Sequence, residues 1–567
     1  MKISEFSNYL QKLESTASRN EITEILASLF EKSSKEEIDK IVYLSLGTLA
    51  PSFRNIIFNI ADQMMIRVLA KAYSVDIEKV KEQYREKGDL GTVAYKYAKA
   101  KGDGQEVSSV YDKLVEIAKE GGEGSQERRV EKMSNLFKSL DPLSAKFVAR
   151  IPLGKLRLGF SDLTIIDALS WYEKKDKSGK KELTHAYEVL PDIGLLAKKV
   201  KELGIKKATS NPKPVLGIPI APMLAQRIGN PSEMIKKMGK VAVEPKFDGV
   251  RVQIHFKKGK KVHAFTRNLH DISEMFPELE KVGEHLNANE IILDTEGIGI
   301  DEKTKSLLDF QTTMTRRRKH EINEFANRIP ITFYVFDVMY VNGNSLMDKP
   351  YLERREILKK VVLGNSLLRL DEEIATDNPQ VISSLYAQKR KEGLEGIMVK
   401  KIDSEYVPGR TGWRWVKMKQ TELTQGKLTD TVDGVVMGYT VGLGKRASFG
   451  LGQFLVGVKD GEQIKTITKV GTGLTDIQFK SLNEKLQKLK VNQKPKEYEV
   501  AKILEPDYWV EPQLVVEIAA DDITKSPNHT AGYALRFPRL VQLREDKSAK
   551  DATTTKEIER LYKLQKK

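Results

Sequence analysis

Apolar residues recur at steps of three and four along the first part of the chain. Phe6, Tyr9, Leu10 and Leu13 form one such stripe, and Ile22, Ile25, Leu26, Leu29 and Phe30 the next, the signature of amphipathic helices. Gly102-Asp103-Gly104 and Gly121-Gly122-Glu123-Gly124 interrupt the pattern as loops. Gly124-Ser125 then opens a further helical run, whose free backbone N–H groups would suit a phosphate; an ordinary serine N-cap explains Ser125 equally well. Residues 208–214, Ala-Thr-Ser-Asn-Pro-Lys-Pro, read as a linker. Beyond it short β-rich runs at 241–244, 250–256, 291–294 and 331–337 alternate with helical stretches at 352–361 and 379–391, which predicts an α+β domain. After Lys419 the runs 432–439, 453–458 and 464–470 are separated by glycine turns, as in a small antiparallel barrel. Residues 551–567 read as helical again. The pattern divides the chain at 1–208, 215–419 and 420–567.

Composition narrows the classes. Lys and Arg number 95 against 79 Asp and Glu, a net charge of +16 in 567 residues. That excess suits a polyanionic partner, and a merely soluble basic protein equally. The basic residues are dispersed: Lys257, Lys258, Lys260 and Lys261 surround Gly259 as in an exposed hairpin, Arg316 to Lys319 form a second cluster, and Lys563, Lys566 and Lys567 a solvated tail. With no cysteine, disulfide scaffolds, thiol catalysis and cysteine-bound zinc are excluded. No apolar run approaches the ~18 residues of a membrane span; the longest, 215–225, is broken by Pro219 and Pro222. The opening Met1-Lys2-Ile3-Ser4-Glu5 lacks the apolar core of a signal peptide. A cytoplasmic location with no membrane partner is expected.

Two common phosphate motifs fail. Gly442-Leu-Gly-Lys-Arg446 approaches a P-loop but has Tyr439 where glycine is needed and Arg446 where Ser or Thr is needed, and no glycine-rich dinucleotide fingerprint follows a strand. The chemistry points instead to Lys246-Phe-Asp248-Gly249, where Lys246 and Asp248 would share one face of a strand end and Gly249 would permit a tight turn. An amine attacks an α-phosphate only when unprotonated, the form that desolvation and neighbouring cations favour. On its own the tetrapeptide is an ordinary surface turn.

It does not stand alone. Glu244, Lys246, Asp248, Gly249 and Arg251 are followed by Thr266-Arg267-Asn268, Asp294-Thr-Glu296-Gly297, Phe333-Tyr-Val-Phe336-Asp337, Glu395-Gly-Ile-Met-Val-Lys400 and Trp415-Val-Lys417-Met-Lys419. In this order the segments resemble the motifs of covalent nucleotidyltransferases, specifically the ATP-dependent DNA ligases of archaeal replicative type. Residues 217–225 resemble the family's lead-in to the nucleotide domain, Leu535-Arg536-Phe-Pro-Arg539 with Arg544, Asp546 and Lys547 its last motif, and Arg150 to Gly159 its DNA-binding domain.

The resemblance implies a multi-domain architecture: an all-α N-terminal DNA-binding domain, an α+β adenylation domain and a β-barrel OB-fold domain with a C-terminal helix. It implies Lys246 as the adenylated lysine, Phe336 against the adenine face and Glu244 accepting from the adenine amino group. Arg251, Arg267 and Glu296 would contact ribose and phosphates, and Lys417 and Lys419 the α-phosphate. Glu296 and Glu395 would hold Mg²⁺ beside ATP, with Mn²⁺ left open as a substitute. The family's arginine six places before the first motif lysine is Thr411 here, which leaves Arg410 or Arg414 as replacements. Lys547, with Arg536 or Arg539, would orient the leaving pyrophosphate. The activity implied is sealing of nicks in duplex DNA through lysyl-AMP, in replication, repair and recombination, by a monomer. A sliding clamp is a further implied partner, although no docking segment stands out.

The alternatives sharing the lysine motif are an RNA ligase and a GTP-dependent RNA-capping guanylyltransferase; the appended helical region disfavours both. An NAD-dependent ligase would carry a cysteine-bound zinc module. A non-catalytic DNA-binding protein would leave Lys246, Lys417 and Lys419 without a role.

Overall fold

The computed structural model describes residues 1–102, 104–316, 322–409, 412–419, 431–441 and 450–564. The chain forms two compact units, Met1–Lys419 and Gln420–Lys567. The first begins, among the described residues, with twelve α-helices from Ile3–Glu14 to Ile193–Ala208. The predicted stripes become their inner faces: Phe6, Leu10, Leu13, Leu26, Leu29 and Phe30 are fully buried in one apolar core.

Two sequence features gain detail here. Gly124, at φ +71°, caps the helix Ser125–Lys138, so Ser125 is its first residue and not its cap. Glycine adopts that left-handed backbone without a Cβ penalty. Arg150 does not face outward. Its guanidinium is buried, donating from Nε to Asp89 Oδ2 (3.1 Å) and from Nη1 to Glu14 Oε1 (2.9 Å). In the same motif Lys155 pairs with Asp62 at 2.9 Å, and Arg157, at φ +62°, donates to the Gly88 carbonyl at 2.8 Å. The three cations brace the helical region itself.

The rest of the first unit is built on two sheets. Its strands are β1 (Gln226–Arg227), β2 (Val241–Lys246), β3 (Val250–Lys257), β4 (His263–Thr266), β5 (Glu290–Gly299), β6 (Ile331–Val341), β7 (Asn344–Ser345), β8 (Leu368–Leu370), β9 (Ile374–Thr376), β10 (Gly396–Lys401) and β11 (Trp415–Lys419). One sheet has the order β1-β11-β10-β2-β9; the other runs β4-β3-β5-β6-β7, with β8 added to β6. The first buries Val241, Val243, Ile397, Val399 and Val416 on one face, in a cluster with Met234 and Met238 of the helix Pro231–Met238 and Ile382 of Pro379–Lys391. Period-2 alternation therefore aims Glu244, Lys246, Met398, Lys400, Trp415, Lys417 and Lys419 at the opposite face. Lys257 and its neighbours do form an exposed hairpin between β3 and β4. Arg316, first of the second basic cluster, is fully buried and donates to both Glu278 oxygens (2.7 and 2.9 Å). Residues 317–319 lie outside the described residues, as do 442–446, Lys566 and Lys567.

The helical region packs on these sheets through Val189, which shares an apolar cluster with Ile220, Met223, Tyr406 and Trp415. Beside it the Ala221 amide donates to the Glu188 carbonyl at 2.8 Å, and the Glu188 carboxyl lies against Gly409. Burial pushes that carboxyl up from 4.5 to about 7. The folded protein thus binds this proton more tightly than the unfolded chain does. Its contribution to stability is complete below pH 4.5 and is lost as pH rises toward 7. Thermal melts across that range should show a downward slope that Glu188→Gln flattens; parallel slopes in both proteins would refute the assignment.

The second unit carries an antiparallel meander of β12 (Val432–Thr440), β13 (Gln453–Asp460) and β14 (Gln463–Val470). A bulge at Val436/Gly438 bends β12, which pairs with Val515–Ala519 along one half and Tyr508–Val510 along the other. The helices Asp476–Lys488 and Thr555–Leu564 flank the sheet, and Phe479, Leu482 and Ile558 join its core.

Candidate active site

Strand register assembles the site. Gly396 in β10 sits opposite Lys246 of β2 on one side and Lys419 of β11 on the other, and Met398 lies likewise between Glu244 and Lys417. The glycine matters because its neighbours approach so closely. At φ +150°, a Cβ on Gly396 would run into the Met418 carbonyl oxygen. Gly396→Ala should cost roughly 1–3 kcal/mol, as a side chain forced into a sparsely populated backbone region does, and should slow any reaction at Lys246. Unchanged melting and unchanged reactivity would show that the sheet yields.

The cleft so formed has a volume of about 590 Å³ and is lined from both sheets. A larger one, about 960 Å³, is bordered by His285, Thr332 and Arg369 and holds none of the residues singled out from the sequence. In the smaller cleft Lys246 ends β2, so Asp248 lies past the strand and not on its face. Gly249 serves close approach more than a turn: a Cβ there would stand 2.6 Å from the Gly297 carbonyl oxygen. Phe247 packs at a tilt against Tyr334 of β6 (4.3 Å between centroids, 31° between planes), which pins the segment that follows the lysine.

Lys246 Nζ is ion-paired with Glu395 Oε2, while Lys419 Nζ holds the other oxygen at 3.1 Å. Burial alone would raise the Glu395 carboxyl; Lys246 and Lys419 outweigh it and hold it below the ordinary range. Lys417 is half-buried in the cleft wall. Burial lowers its pKa, and Lys246 and Lys419 push it further down. Glu296, opposite Arg251 across β3 and β5, rises to about 7, from burial first, with Lys246 and Arg251 opposing. Arg267 is exposed at the rim just past β4.

Several expected contacts are already engaged. Arg251 spends Nε and Nη2 on Asp294 (2.9 and 2.6 Å) and Nη1 on the Met223 carbonyl (2.8 Å), and its guanidinium lies over the Phe336 and Trp415 rings. It is therefore chiefly a wall of the cleft, with little donor capacity left for a ribose or phosphate. Glu244 is buried, with Lys400 Nζ 2.8 and 2.6 Å from its two oxygens and the Tyr351 hydroxyl donating to Oε1. Phe336 faces the cleft, edge-on to Trp415 at 6.0 Å. Arg414 precedes β11 and is not among the residues that line the cleft; Arg410 and Thr411 lie outside the described residues. Lys547 belongs to the second unit, where its Nζ meets Asp433 Oδ2 at 2.6 Å and Arg544 reaches the same carboxylate at 3.3 Å.

Comparison with known proteins decides the family. Residues 222–419 match the family model for the ATP dependent DNA ligase domain, 2–170 that for the DNA ligase N terminus, and 447–547 that for the ATP dependent DNA ligase C terminal region. The chain belongs to the ATP-dependent DNA ligases. A relative described as a probable DNA ligase of Dictyoglomus thermophilum is 41% identical over 578 residues, covering 100% of this chain and 98% of that protein. The DNA ligase of Sulfurisphaera tokodaii is 37% identical over 593 residues, with 100% and 98% covered. DNA ligase 1 of Methanosarcina mazei is 36% identical over 576 residues, with 98% and 99% covered. A solved structure titled "Pmar-Lig_Pre." shares the fold, at 18% identity and a TM-score of 0.56 over 95% of this chain and 99% of that one. The ligase thus has a helical N-terminal domain, a central adenylation domain and an OB-like C-terminal domain.

Sequence reasoning gave no role to three residues that line this ligase's cleft, Lys400, Trp415 and Asp371, nor to Tyr351, which donates to Glu244. Lys400 and Trp415 fall inside quoted motifs, and their alternation with Met398 and Lys417 was a usable signal. Tyr351 and Asp371 carry no local signature. Among the described residues no three His, Asp or Glu side chains gather to hold a metal. Glu296 and Glu395 offer hard carboxylate oxygens beside the lysines. That donor set fits an ion such as Mg²⁺, which keeps several waters and is shared with substrate phosphates.

Proposed function

We propose that this ligase joins nicked duplex DNA in three displacements at phosphorus at one cleft, two that pass AMP on and a third that releases it. The observation that carries the reading is Lys246 at the end of β2, gathered with Lys417, Lys419 and Glu395 by the register of β10. The Lys246 amine, once it has released its proton, attacks the α-phosphorus of ATP. An N–P bond forms, the bond to the β-phosphate oxygen breaks, and pyrophosphate departs. A 5′-phosphate oxygen at the nick then displaces Lys246 from that phosphorus. Finally the 3′-hydroxyl attacks the 5′-phosphorus, losing its proton as AMP leaves. Each step is a displacement at phosphorus, so positioning and charge neutralisation supply most of the rate.

Lys417 and Lys419 meet charge developing at the α-phosphate, Phe336 packs on the base and Arg267 reaches phosphates from the rim. Glu296 and Glu395 would hold Mg²⁺, which supplies charge neutralisation at the phosphate oxygens. Lys547 acts on the pyrophosphate. Lys547→Ala should slow self-adenylation more than sealing of pre-adenylated DNA; equal losses would refute that role. The proposed domains are 1–208 for DNA, 215–419 for adenylation and 420–567 for the OB-fold with its terminal helix. No described helix is long and apolar enough to cross a membrane; a monomer in the cytoplasm is the proposed setting.

Incubation with Mg²⁺ and α-labelled ATP, GTP or NAD⁺ tests the reading. Label surviving denaturation is expected from ATP. Labelling by GTP alone would move the protein to capping, and joining of nicked RNA in preference to DNA would make it an RNA ligase.

A further inference from the structure

The helical region meets the rest of its unit at a second place, away from the Val189 cluster. Strand β4 lies at the edge of its sheet, among the described residues paired with β3 alone, and its last residue Thr266 sits opposite Val252. The chain then turns sharply through Arg267, Asn268, Leu269 and His270. Inside the turn the Leu269 amide donates to the Thr266 carbonyl at 2.8 Å, and the Thr266 amide to the His270 carbonyl at 2.9 Å. Leu269 has φ +63°, a left-handed backbone that leucine rarely adopts and that persists only where the surroundings enforce it. An edge strand gives that support from one side only.

The helical region supplies the other side. Ser52–Arg54 form a short 3₁₀ turn closed by Asn55, whose left-handed backbone, at φ +49°, suits asparagine. Asn55 Nδ2 donates to the Asp271 carbonyl at 2.8 Å, and Ser52 Oγ to the Asn268 carbonyl at 3.4 Å. The two carbonyls bracket the turn, Asn268 directly after Arg267 and Asp271 at its far end. Arg267 itself lines the nucleotide cleft. Its charge reaches Lys417, whose pKa falls from burial first, then from Lys246 and Lys419, with Arg267 adding to them. The contact from the helical region therefore falls on the turn that carries a cleft-facing cation.

We propose that Asn55 is a positioning residue: by holding the turn after β4 it aims Arg267 at the phosphates, and so ties the helical region to the nucleotide cleft. The proposal rests on the reading of Arg267 as a phosphate contact. Its test measures kcat and KM for labelling of Lys246 by ATP in the full chain. The variants are Arg267→Ala, Asn55→Gly, the two combined, and Asn59→Gly. Glycine keeps the left-handed backbone at position 55 and removes the donor. Asn59 is the control, an asparagine at φ +51° whose Nδ2 reaches the nearby Ile57 carbonyl at 3.4 Å.

Arg267→Ala should raise KM for ATP about 10- to 100-fold, the worth of a hydrogen bond to a charged group. Asn55→Gly should raise it about 3- to 10-fold with kcat little changed, and Asn59→Gly should leave both constants at wild-type values. With Arg267 already removed, Asn55→Gly should change KM less than about twofold, because the two residues act through one contact. Losses that simply multiply in the double variant overturn the proposal, as does a wild-type KM in Asn55→Gly. An equal loss in Asn59→Gly overturns it too, since the effect would then belong to the segment and not to the donor. Should Asn55→Gly melt below the assay temperature, Asn55→Asp takes its place, tolerating the same backbone and lacking the donor. If Arg267→Ala matches the wild type, the phosphate reading of Arg267 falls and the proposal with it; where Arg267→Ala does lose affinity, the double variant judges Asn55 alone.

Discussion

Lys246→Ala should abolish covalent labelling by ATP and leave a folded protein. The side chain sits at the end of β2, 19% exposed, and among the described residues its one ion pair is with Glu395. That carboxylate keeps Lys419 when Lys246 is gone, so no buried charge is stranded. Loss of one partly exposed pair costs at most about 1 kcal/mol, which a melting curve reads as a small shift. The chemistry has no such reserve. Lys417 and Lys419 lie two residues apart on β11, across β10 from Lys246, and neither stands where the lysine's own bond to phosphorus would form. Lys246→Arg should be equally inactive, because a guanidinium stays protonated. The final step uses no bond to Lys246, so the alanine variant should still seal a nick whose 5′-phosphate is already adenylated. Residual ATP labelling of the alanine variant, located by mass spectrometry on another lysine, would sink the assignment.

The second large effect falls on stability. Lys400→Met should destabilise the first unit by about 3–5 kcal/mol, the usual consequence of removing one partner of a buried ion pair. The ammonium is 1% exposed, bonded to both Glu244 oxygens and to the Phe336 carbonyl at 3.1 Å. It lies 4.4 Å from the Trp415 ring centroid, 4.8 Å from that of Phe336 and 5.1 Å from that of Tyr351, each such contact adding roughly 0.5–2 kcal/mol when desolvated. Methionine fills similar volume but leaves Glu244 charged and unpaired. Adding Glu244→Gln should recover much of the loss, since replacing both partners removes the stranded charge. Denaturant titration of the single and double variants measures this. A loss no larger than that of Lys258→Met, a change on the exposed hairpin, would show that the network does not close around Lys400.

The elements legible in the sequence were those whose signal is local. The helical stripe of Phe6, Leu10 and Leu13 needs only neighbouring turns, and the alternation that aims Lys417 and Lys419 to one face needs only a pleated strand. The role of Ser125 stayed open because serine and glycine both suit a cap, and the deciding feature is the backbone of Gly124. Arg150 was placed in the DNA-binding region by resemblance, which says nothing of where its guanidinium points. Asp89 and Glu14 claim it from distant helices.

The same distinction runs through the cleft. Order and spacing of charged and apolar residues, acting over a few positions, determined by themselves which segments fold as helix or strand, that Lys246 ends a strand, and that the family's motifs occur in sequence. Which of those side chains remains free for substrate was decided only when strands far apart in the chain paired. β10 sets Gly396 between Lys246 and Lys419, Asp294 engages Arg251, Lys400 engages Glu244, and Arg355 engages Asp371. Hydrogen-bond capacity is spent on whichever partner tertiary packing delivers, and no local pattern records that partner.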